Sequence, residues 1–192
     1  MDFKLRTAML VGLLAATTAS FADDNAKKAE DPRVDRPFKF TIGFHVPTIN
    51  QNDNDASSDT GFTGSVGWSF IRTQQAGFEL EARYTAYKLK FLGDRETISM
   101  GTFFLNGYGR FGQTTRDGSM TWTPCFFAGG GIGVGTGRAT IQGVEFGKKG
   151  GSLVWQAFLC YEFTEHVFAQ VRYQGGQEDI HRGWGLEIGF RF

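Results

Sequence analysis

The feature that most constrains this chain is an alternation of bulky apolar residues with small or charged residues. Every second residue of its last ten, GWGLEIGFRF, is bulky and apolar: Trp184, Leu186, Ile188, Phe190 and Phe192. The residues between them are glycines, Glu187 and Arg191. A period of two is the pattern of a β-strand whose two faces lie in different surroundings. This segment therefore predicts a strand with one apolar face.

The same alternation recurs from Pro37 onward in about eight segments. The segments are 38–46, 62–70, 78–86, 98–111, 122–135, 153–163, 167–174 and 183–192. Long connections are predicted at 47–61, 89–96, 136–151 and 175–182, and shorter ones at 72–77, 112–119 and 164–166. Strands of about 9–11 residues, joined by alternately long and short connections, are typical of a membrane barrel. We therefore predict an all-β fold, an eight-stranded antiparallel up-and-down transmembrane β-barrel.

The fourth segment, 98–111, is the least regular. Two sets of apolar residues in it have opposite parity: Phe103, Leu105 and Phe111 in one, and Ile98, Met100 and Phe104 in the other. One extra residue in a strand moves the side chains that follow to the opposite face, so we expect a β-bulge near residues 102–104. We assign Asn106, Tyr108 and Arg110 to the polar face.

The first residues have the three parts of a secretory signal peptide, in the expected order. They are Lys4 and Arg6 at a positively charged start, the apolar stretch AMLVGLLAA at 8–16, and the small-x-small cleavage site SFA at 20–22. An ordinary amphipathic N-terminal helix is the alternative, but it does not require this order. Residues 23–36 are polar, without periodicity, and predict a flexible lead-in. We therefore divide the chain into a signal peptide (1–22), the lead-in (23–36) and a barrel domain (37–192).

Alternation alone does not decide whether the apolar face lies inside a water-soluble barrel, as in a lipocalin, or outside, against lipid. In the regular segments no Lys, Arg, Asp or Glu falls on the apolar face. Lipid disfavours Lys or Arg by about 2–4 kcal/mol near the bilayer midplane, whereas water tolerates them. Aromatic rings also gather near both ends of that face: Trp122, Phe163, Phe78, Phe70 and Phe192 at one end, and Trp155, Tyr173, Trp184 and Phe62 at the other. We therefore expect the apolar face to contact hydrocarbon.

The polar face carries charges of both signs. They are Lys39, Glu79, Glu81, Arg83, Arg110, Glu162, Arg172, Glu187 and Arg191. Buried charges are stable only when they are paired and hydrogen-bonded, and an eight-stranded interior is just wide enough for side chains to fill. We expect these residues to form a charge network that plugs the lumen. A path for protons or ions is the alternative.

The chain resembles small bacterial outer-membrane β-barrels of the OmpA/OmpX-like kind. The matching features are the export signal, PCFFAGGGIGVG at 124–135 and the terminal GFRF. The resemblance covers residues 37–192 and implies a Gram-negative outer membrane, with loops outside the cell and turns in the periplasm. It also implies that Phe190 and Phe192 are an assembly signal that the barrel-assembly machinery reads. It implies no single activity.

The two cysteines, Cys125 and Cys160, fall on neighbouring predicted strands with the same inward parity. A disulfide across the hairpin is one expectation for an oxidising periplasm, although its geometry is demanding. Two buried thiols are the equal alternative.

A lipid-modifying enzyme would need a His–Ser–acid group at the outer rim of the barrel. His45 or His181, together with Ser57, Ser58 or Asp59, supplies the residue types. Nothing in the sequence fixes their geometry, so this group is the weakest of the functional candidates.

Two predicted loops carry further charges. Asp53, Asp55 and Ser57 have the odd spacing of a calcium loop, but Ser58 and Gly64 stand where that loop needs Gly and Glu. Arg138, Lys148 and Lys149 lie in the longest predicted loop, where anionic groups of lipopolysaccharide or water would surround them. Solvated surface loops are the simpler interpretation of both.

Lys+Arg and Asp+Glu both count 20, and this zero net charge gives no reason to expect nucleic acid as a partner. We expect a non-enzymatic outer-membrane barrel, without cofactor or metal, that supports envelope integrity or surface interaction through its extracellular loops. Its expected partners are outer-membrane lipid and lipopolysaccharide. A small channel or hydrophobic-solute carrier is the main alternative, and a lipid-modifying enzyme is less favoured.

Overall fold

The computed structural model describes residues 36–48, 56–72, 76–91, 94–111, 124–137, 139–141, 144–146 and 151–192. The strands are β1 (Phe38–Pro47), β2 (Ala56–Ser58), β3 (Gly61–Arg72), β4 (Ala76–Phe91), β5 (Asp94–Phe111), β6 (Cys125–Gly137), β7 (Ala139–Ile141), β8 (Val144–Phe146), β9 (Ser152–Glu162), β10 (Val167–Gly176) and β11 (Gly183–Arg191). A 3-10 turn spans Asp179–His181. Within these ranges no helix is long and apolar enough to cross a membrane. The predicted signal peptide, and all but the last residue of the lead-in, lie outside the described residues.

In the described part of the chain, eight long strands close into an antiparallel barrel in the order β1, β3, β4, β5, β6, β9, β10, β11. The first and last strands meet at the seam, where Ile42 pairs with Ile188. At the end of this seam the backbone N–H of Phe38 donates to the carbonyl of Phe192 at 3.0 Å, and the N–H of Phe192 donates to the carbonyl of Phe38 at 2.9 Å. The predicted eight-stranded up-and-down barrel is therefore confirmed.

The apolar face of the strands points outward and the polar face points into the lumen. On β11, Leu186 and Ile188 are 60% and 64% exposed, whereas Glu187 between them is 1% exposed. Trp68 and Trp155 are also exposed. A water-soluble barrel would bury these side chains in its centre, so the orientation agrees with hydrocarbon as the surrounding solvent.

The predicted β-bulge near residues 102–104 is wrong. β5 pairs with β4 and with β6 without a shift in register, and Ile98, Met100 and Phe104 all point into the lumen. The register shift lies instead in β3, between Ser69 and Ile71. The prediction failed because it assumed a polar interior along all of β5, whereas this end of the lumen is apolar.

The predicted connection at 89–96 is also wrong, because strand structure continues through most of it. β4 has 16 residues and β5 has 18, longer than the expected strands, and only residues 92–93 between them lie outside the described ranges. β2 adds to the extension, since Ser57 pairs with Lys90 of β4. We call residues 86–99 the β4–β5 hairpin.

The lumen is filled by two groups of uncharged side chains, one on each side of the charged residues. The mouth end is the end near the 3-10 turn, and its apolar cluster consists of Tyr87, Leu89, Ile98, Met100 and Ile180. The base end is the end near the β9–β10 turn, and its cluster consists of Tyr108, Phe127, Phe158, Cys160 and Phe168. Charged groups at mid-lumen are thus shielded from water on both sides.

Candidate functional site

Three cationic and three carboxylate side chains from the described strands meet at the middle of the lumen. We call them the central charge cluster: Lys39, Arg83, Arg172, Glu79, Glu81 and Glu187. β4 supplies Glu79, Glu81 and Arg83, because alternate residues of one strand share a face. All six side chains are at least 95% buried. The cluster has no net charge.

Glu81 is the centre of the cluster. Its Oε1 lies 2.9 Å from Arg83 Nη2 and 2.9 Å from Arg172 Nη1, and its Oε2 lies 3.3 Å from Lys39 Nζ. Two neutral amides complete its surroundings, since Asn106 Nδ2 donates to Oε2 at 2.8 Å and Gln156 Nε2 donates to it at 3.3 Å. The carboxylate thus binds three cations and two amides.

Glu187 is the second carboxylate that joins distant strands. Arg83 donates to it from both terminal nitrogens, Nη1 to Oε1 at 2.6 Å and Nη2 to Oε2 at 2.9 Å. Arg172 Nε also lies 3.1 Å from its Oε1. Because β3 and β1 separate β4 from β11 in the sheet, the Arg83–Glu187 pair bridges the lumen. Bidentate arginine–carboxylate pairs of this kind are strong and directional.

A smaller charged group lies at the base end. Arg191 Nη1 is 3.3 Å from Glu162 Oε1, and Arg110 Nε is 3.8 Å from Glu162 Oε2. The Arg191 guanidinium also lies 5.4 Å from the ring centre of Phe127 and 5.6 Å from that of Phe168, within the range of a cation–π contact. All nine charged residues selected from the sequence are thus buried in the lumen and take part in ion pairs.

The sequence analysis did not identify the neutral members of the network. Asn106 bridges Glu79 and Glu81. Gln156 donates to Glu81 Oε2 at 3.3 Å and to Asn106 Oδ1 at 2.6 Å, and its amide oxygen accepts from Arg172. Thr63 accepts from Arg83 Nη1 at 2.6 Å. Strand alternation predicts that Asn106, Gln156 and Thr63 face the lumen. It does not predict that they join the charge network, because an amide or a hydroxyl carries no charge.

Glycines on β6 do not leave space in the lumen. A Cβ placed on Gly131 would lie 2.1 Å from Asn106 Oδ1, and one placed on Gly129 would lie 2.6 Å from Phe158 Cζ. Non-bonded atoms do not approach each other this closely. Neighbouring side chains therefore already occupy the volume that the glycines release. Small residues here permit the close packing of the polar network.

The cysteines are both thiols in the structure. Cys125 Sγ donates to Glu162 Oε2 at 3.1 Å, and Cys160 Sγ lies 3.1 Å from the side-chain amide of Gln170. Cys125 pairs with Glu162 and Cys160 pairs with Phe127, so the two cysteines are diagonal neighbours. Of the two alternatives, the structure contains the pair of buried thiols and not the disulfide.

Among the described residues, no hydrogen bond joins His45 or His181 to Ser57, Ser58 or Asp59. The ring of His45 covers Gly183 inside the lumen, and the ring of His181 covers Gly135. Ser57 instead pairs with Lys90 on the β4–β5 hairpin. His45 Nε2 and His181 Nδ1 have no hydrogen-bond partner among the described residues, whereas a catalytic base needs a hydrogen bond to its nucleophile.

His181 lies at the mouth end, on the 3-10 turn. Its neighbour Ile180 belongs to the apolar cluster, and the Tyr87 hydroxyl donates to the Ile180 carbonyl at 2.9 Å. Burial lowers the pKa of His181 below its usual value, and the nearby Glu178 carboxylate opposes this shift. The turn therefore closes the mouth with a neutral histidine.

The remaining loop candidates lie largely outside the described residues. Asp53 and Asp55 of the calcium-like pattern are in this group, as are Arg138, Lys148 and Lys149. In the part of the chain that is described, no group of three His, Cys, Asp or Glu residues is placed to hold a metal ion.

The terminal aromatics lie at the base end on the outer surface. Phe190 and Phe192 are 46% and 55% exposed. The Phe190 ring stacks on the His166 ring with centroids 5.3 Å apart, and the Phe192 ring stacks on Phe38 at 6.0 Å. Their predicted role as an assembly signal remains a prediction.

Known proteins with a similar structure are outer-membrane and surface barrels. The chain is similar to Ail, the attachment invasion locus protein of Yersinia pestis, with a TM-score of 0.50 and 12% identity over 82% of this chain and 99% of Ail. It is also similar to the N-terminal β-barrel domain of Pseudomonas aeruginosa OprF (TM-score 0.48, 18% identity, 82% and 98% covered) and to Neisserial surface protein A (0.48, 16%, 80% and 94%). No protein-family model matches the chain, and no curated protein matches it significantly. At these identities the likeness shows the fold, which is that of the small outer-membrane barrels.

Proposed function

We propose that this protein is a non-enzymatic β-barrel of the bacterial outer membrane whose lumen is closed to solutes. It supports the envelope or surface interactions through its body and its loops, and it does not conduct. The observation that carries the proposal is the central charge cluster, which joins β1, β4, β10 and β11 across the lumen.

The outward face supports the membrane location. The side chains that it exposes are large and apolar around the whole barrel, among them Phe44 at 65% and Val134 at 57%. A soluble protein rarely exposes a continuous apolar band of this kind, whereas hydrocarbon requires one.

The packing of the lumen argues against a channel. Paired charges at mid-lumen lie between the apolar cluster at the mouth end and the aromatic cluster at the base end. A solute would have to displace bidentate ion pairs in a medium of low dielectric constant, where each unpaired charge is costly.

Solute flux tests the closed lumen. Full-length mature protein in liposomes is expected to give swelling rates in sugar solutions equal to those of empty liposomes. Removing the central carboxylate with Glu81→Ala is expected to raise the flux, because three cations then face only two carboxylates, Glu79 and Glu187, in a partly emptied lumen. The matched control is Val66→Ala on the outward face of β3, which leaves the lumen intact and is expected to behave as wild type. Flux through the wild-type protein well above that of empty liposomes would overturn the proposal.

An unchanged lipid composition tests the non-enzymatic assignment. Cells that express His45→Gln or His181→Gln are expected to contain the same lipid A species as cells that express the wild-type protein. A lipid A species that depends on either histidine would show that the protein is an enzyme.

A further inference from the structure

A pair of like charges stands directly opposite each other on the β4–β5 hairpin. Lys90 pairs with Arg95, and one step toward the barrel Lys88 pairs with Thr97. Lys88, Lys90 and Arg95 have the same parity as the outward-facing Tyr84, and all three are exposed. We call these three residues the basic face.

Alternation along the strands separates the charges of the hairpin by sign. Glu96 and Asp94 have the parity of Ile98, which points toward the lumen axis, so they lie on the opposite side from the basic face. Among the described residues, Asp59 lies beside the basic face, and its backbone N–H donates to the Lys88 carbonyl at 2.9 Å. None of the three cations makes an ion pair with a described residue.

Like charges directly opposite each other on one face of a sheet destabilise the pairing. The hairpin forms nevertheless, with Lys90 and Arg95 in register. An external anion between the two side chains would turn this repulsion into two attractive contacts. The arrangement therefore suits an anionic ligand better than it suits bare solvent.

The position of the basic face relative to the apolar band indicates where such an anion would come from. Ala86 pairs with Phe62, which is 47% exposed on the outward face. Lys88 lies two residues beyond Ala86, or about 7 Å along the strand, and Lys90 lies about 13 Å beyond it. Because the strands of such a barrel are tilted by about 40°, these distances correspond to depths of about 5 Å and about 10 Å beyond Ala86. From there the long basic side chains reach the lipid headgroup layer.

A groove next to the basic face gives room for a headgroup. Its volume is about 370 Å³, and Lys88 and Tyr87 line it together with Asp59, Thr60 and Thr97. Ser57 is exposed beside Lys90, its pairing partner. Hydroxyl groups thus flank the cations and can donate hydrogen bonds to phosphate oxygens.

We propose that the basic face docks the phosphate of an anionic lipid in the leaflet at the mouth end of the barrel. Arg95 and Lys90 share one phosphate, Lys88 supplies a further positive charge at the groove, and Ser57 and Thr97 flank them with hydroxyl groups. A guanidinium matches two phosphate oxygens at once, which adds geometry to the electrostatic attraction. This proposal rests on the proposed membrane location.

The test uses full-length mature protein in nanodiscs of phosphatidylcholine that contain a minor fraction of diphosphorylated lipid A. Wild-type protein is expected to retain lipid A when native mass spectrometry releases it from the disc. The variant K88Q/K90Q/R95Q is expected to retain about a hundredfold less, since each of the three basic residues near an anionic surface contributes about fivefold. E96Q, on the opposite side of the same hairpin, is the matched control and is expected to retain as much as wild type.

A second measurement does not depend on lipid release. In pure phosphatidylcholine, K90Q is expected to have a urea midpoint equal to or above that of wild type, because it removes a repulsion. With lipid A present, K90Q is expected to have a urea midpoint below that of wild type. Inorganic phosphate added to pure phosphatidylcholine discs is expected to leave the order unchanged, which distinguishes a headgroup from the free ion.

The outcomes separate the two proposals. Wild type and K88Q/K90Q/R95Q that insert equally and retain equal lipid A would overturn the docking site and leave the membrane barrel standing. Failure of the wild-type protein to insert into phosphatidylcholine at all would overturn the proposed membrane location.

Discussion

Arg83 is the residue whose removal tests the central charge cluster most sharply. It donates two hydrogen bonds to Glu187, two to Glu81 and one to the Thr63 hydroxyl. The substitution Arg83→Met keeps much of the side-chain volume and removes the charge and all five bonds. Three carboxylates then face two cations in a buried site.

The expected loss follows from this imbalance. Breaking a buried ion pair by removing one partner costs about 3–5 kcal/mol, because it leaves a buried charge without compensation. Arg83 is 5% exposed, so water cannot replace it without opening the lumen. We therefore expect Arg83→Met to lower the free energy of unfolding by about 3–5 kcal/mol.

The double variant R83M/E187Q separates charge balance from packing. It restores two cations against two carboxylates and leaves a neutral amide where Glu187 stood. Its loss is expected to be smaller than the sum of the two single losses by more than about 1 kcal/mol, as for residues in one network. Val66→Ala, which is lipid-facing, is the control for deleting side-chain atoms without touching the network.

Reversible urea unfolding in phosphatidylcholine vesicles, followed by tryptophan fluorescence, measures these values. A free energy of unfolding for Arg83→Met within about 1 kcal/mol of the wild-type value would refute the reasoning, because removing one partner of a buried ion pair destabilises a protein by more than this. Strict additivity of the two single variants would refute the coupling across the lumen.

Three further results are expected. Burial lowers the pKa of His181 below its ordinary value, so the 3-10 turn should be most protected from hydrogen exchange above about pH 6.5. Protection should decrease as the pH falls from that value toward the lowered pKa, because the unfolded histidine binds a proton there before the folded one does, and H181F should remove this dependence. Oxidation of the folded protein should not join Cys125 to Cys160, because diagonal neighbours have Cα atoms about 7–8 Å apart, beyond the span of a disulfide. A mass loss of two hydrogen atoms, with both electrons taken up by the added oxidant, would contradict this. Gly189→Ala should lower stability by about 1–3 kcal/mol in the same urea assay, since its Cβ would lie 2.0 Å from Phe168 Cζ, and an unchanged midpoint would show that the ring can move away.

Strand parity made most of the barrel readable from the sequence. A period of two assigns every residue of a strand to a face, and the absence of charges on one face indicates which face meets lipid. For this reason the parity of Glu81, Arg83 and Glu187 was sufficient to place them in the lumen. Which cation pairs with which carboxylate could not be predicted, because pairing across the lumen depends on strand stagger and on bridging amides such as Asn106.

The errors share a physical cause. Lys90 was placed in the predicted connection 89–96, yet Tyr87 and Leu89 alternate with Lys88 and Lys90 and pack inside the mouth end. The inward parity of Ile98 and Met100 was explained by a β-bulge, because the lumen was assumed to be polar along its whole length. The interior of this barrel changes from apolar at the mouth end to charged at mid-lumen and aromatic at the base end. The assumption that inward-facing residues are polar therefore holds for only part of each strand.

A barrel that spans the membrane must have hydrocarbon around its outward face. Trp68 on β3 is 47% exposed there and reports on this directly. In the variant W122F/W155F/W184F, which keeps Trp68 as its single tryptophan, lipids brominated on their acyl chains should quench the fluorescence strongly, and aqueous acrylamide should quench it weakly. Strong quenching by acrylamide with none by the brominated lipids would contradict the account, because Trp68 would then face water.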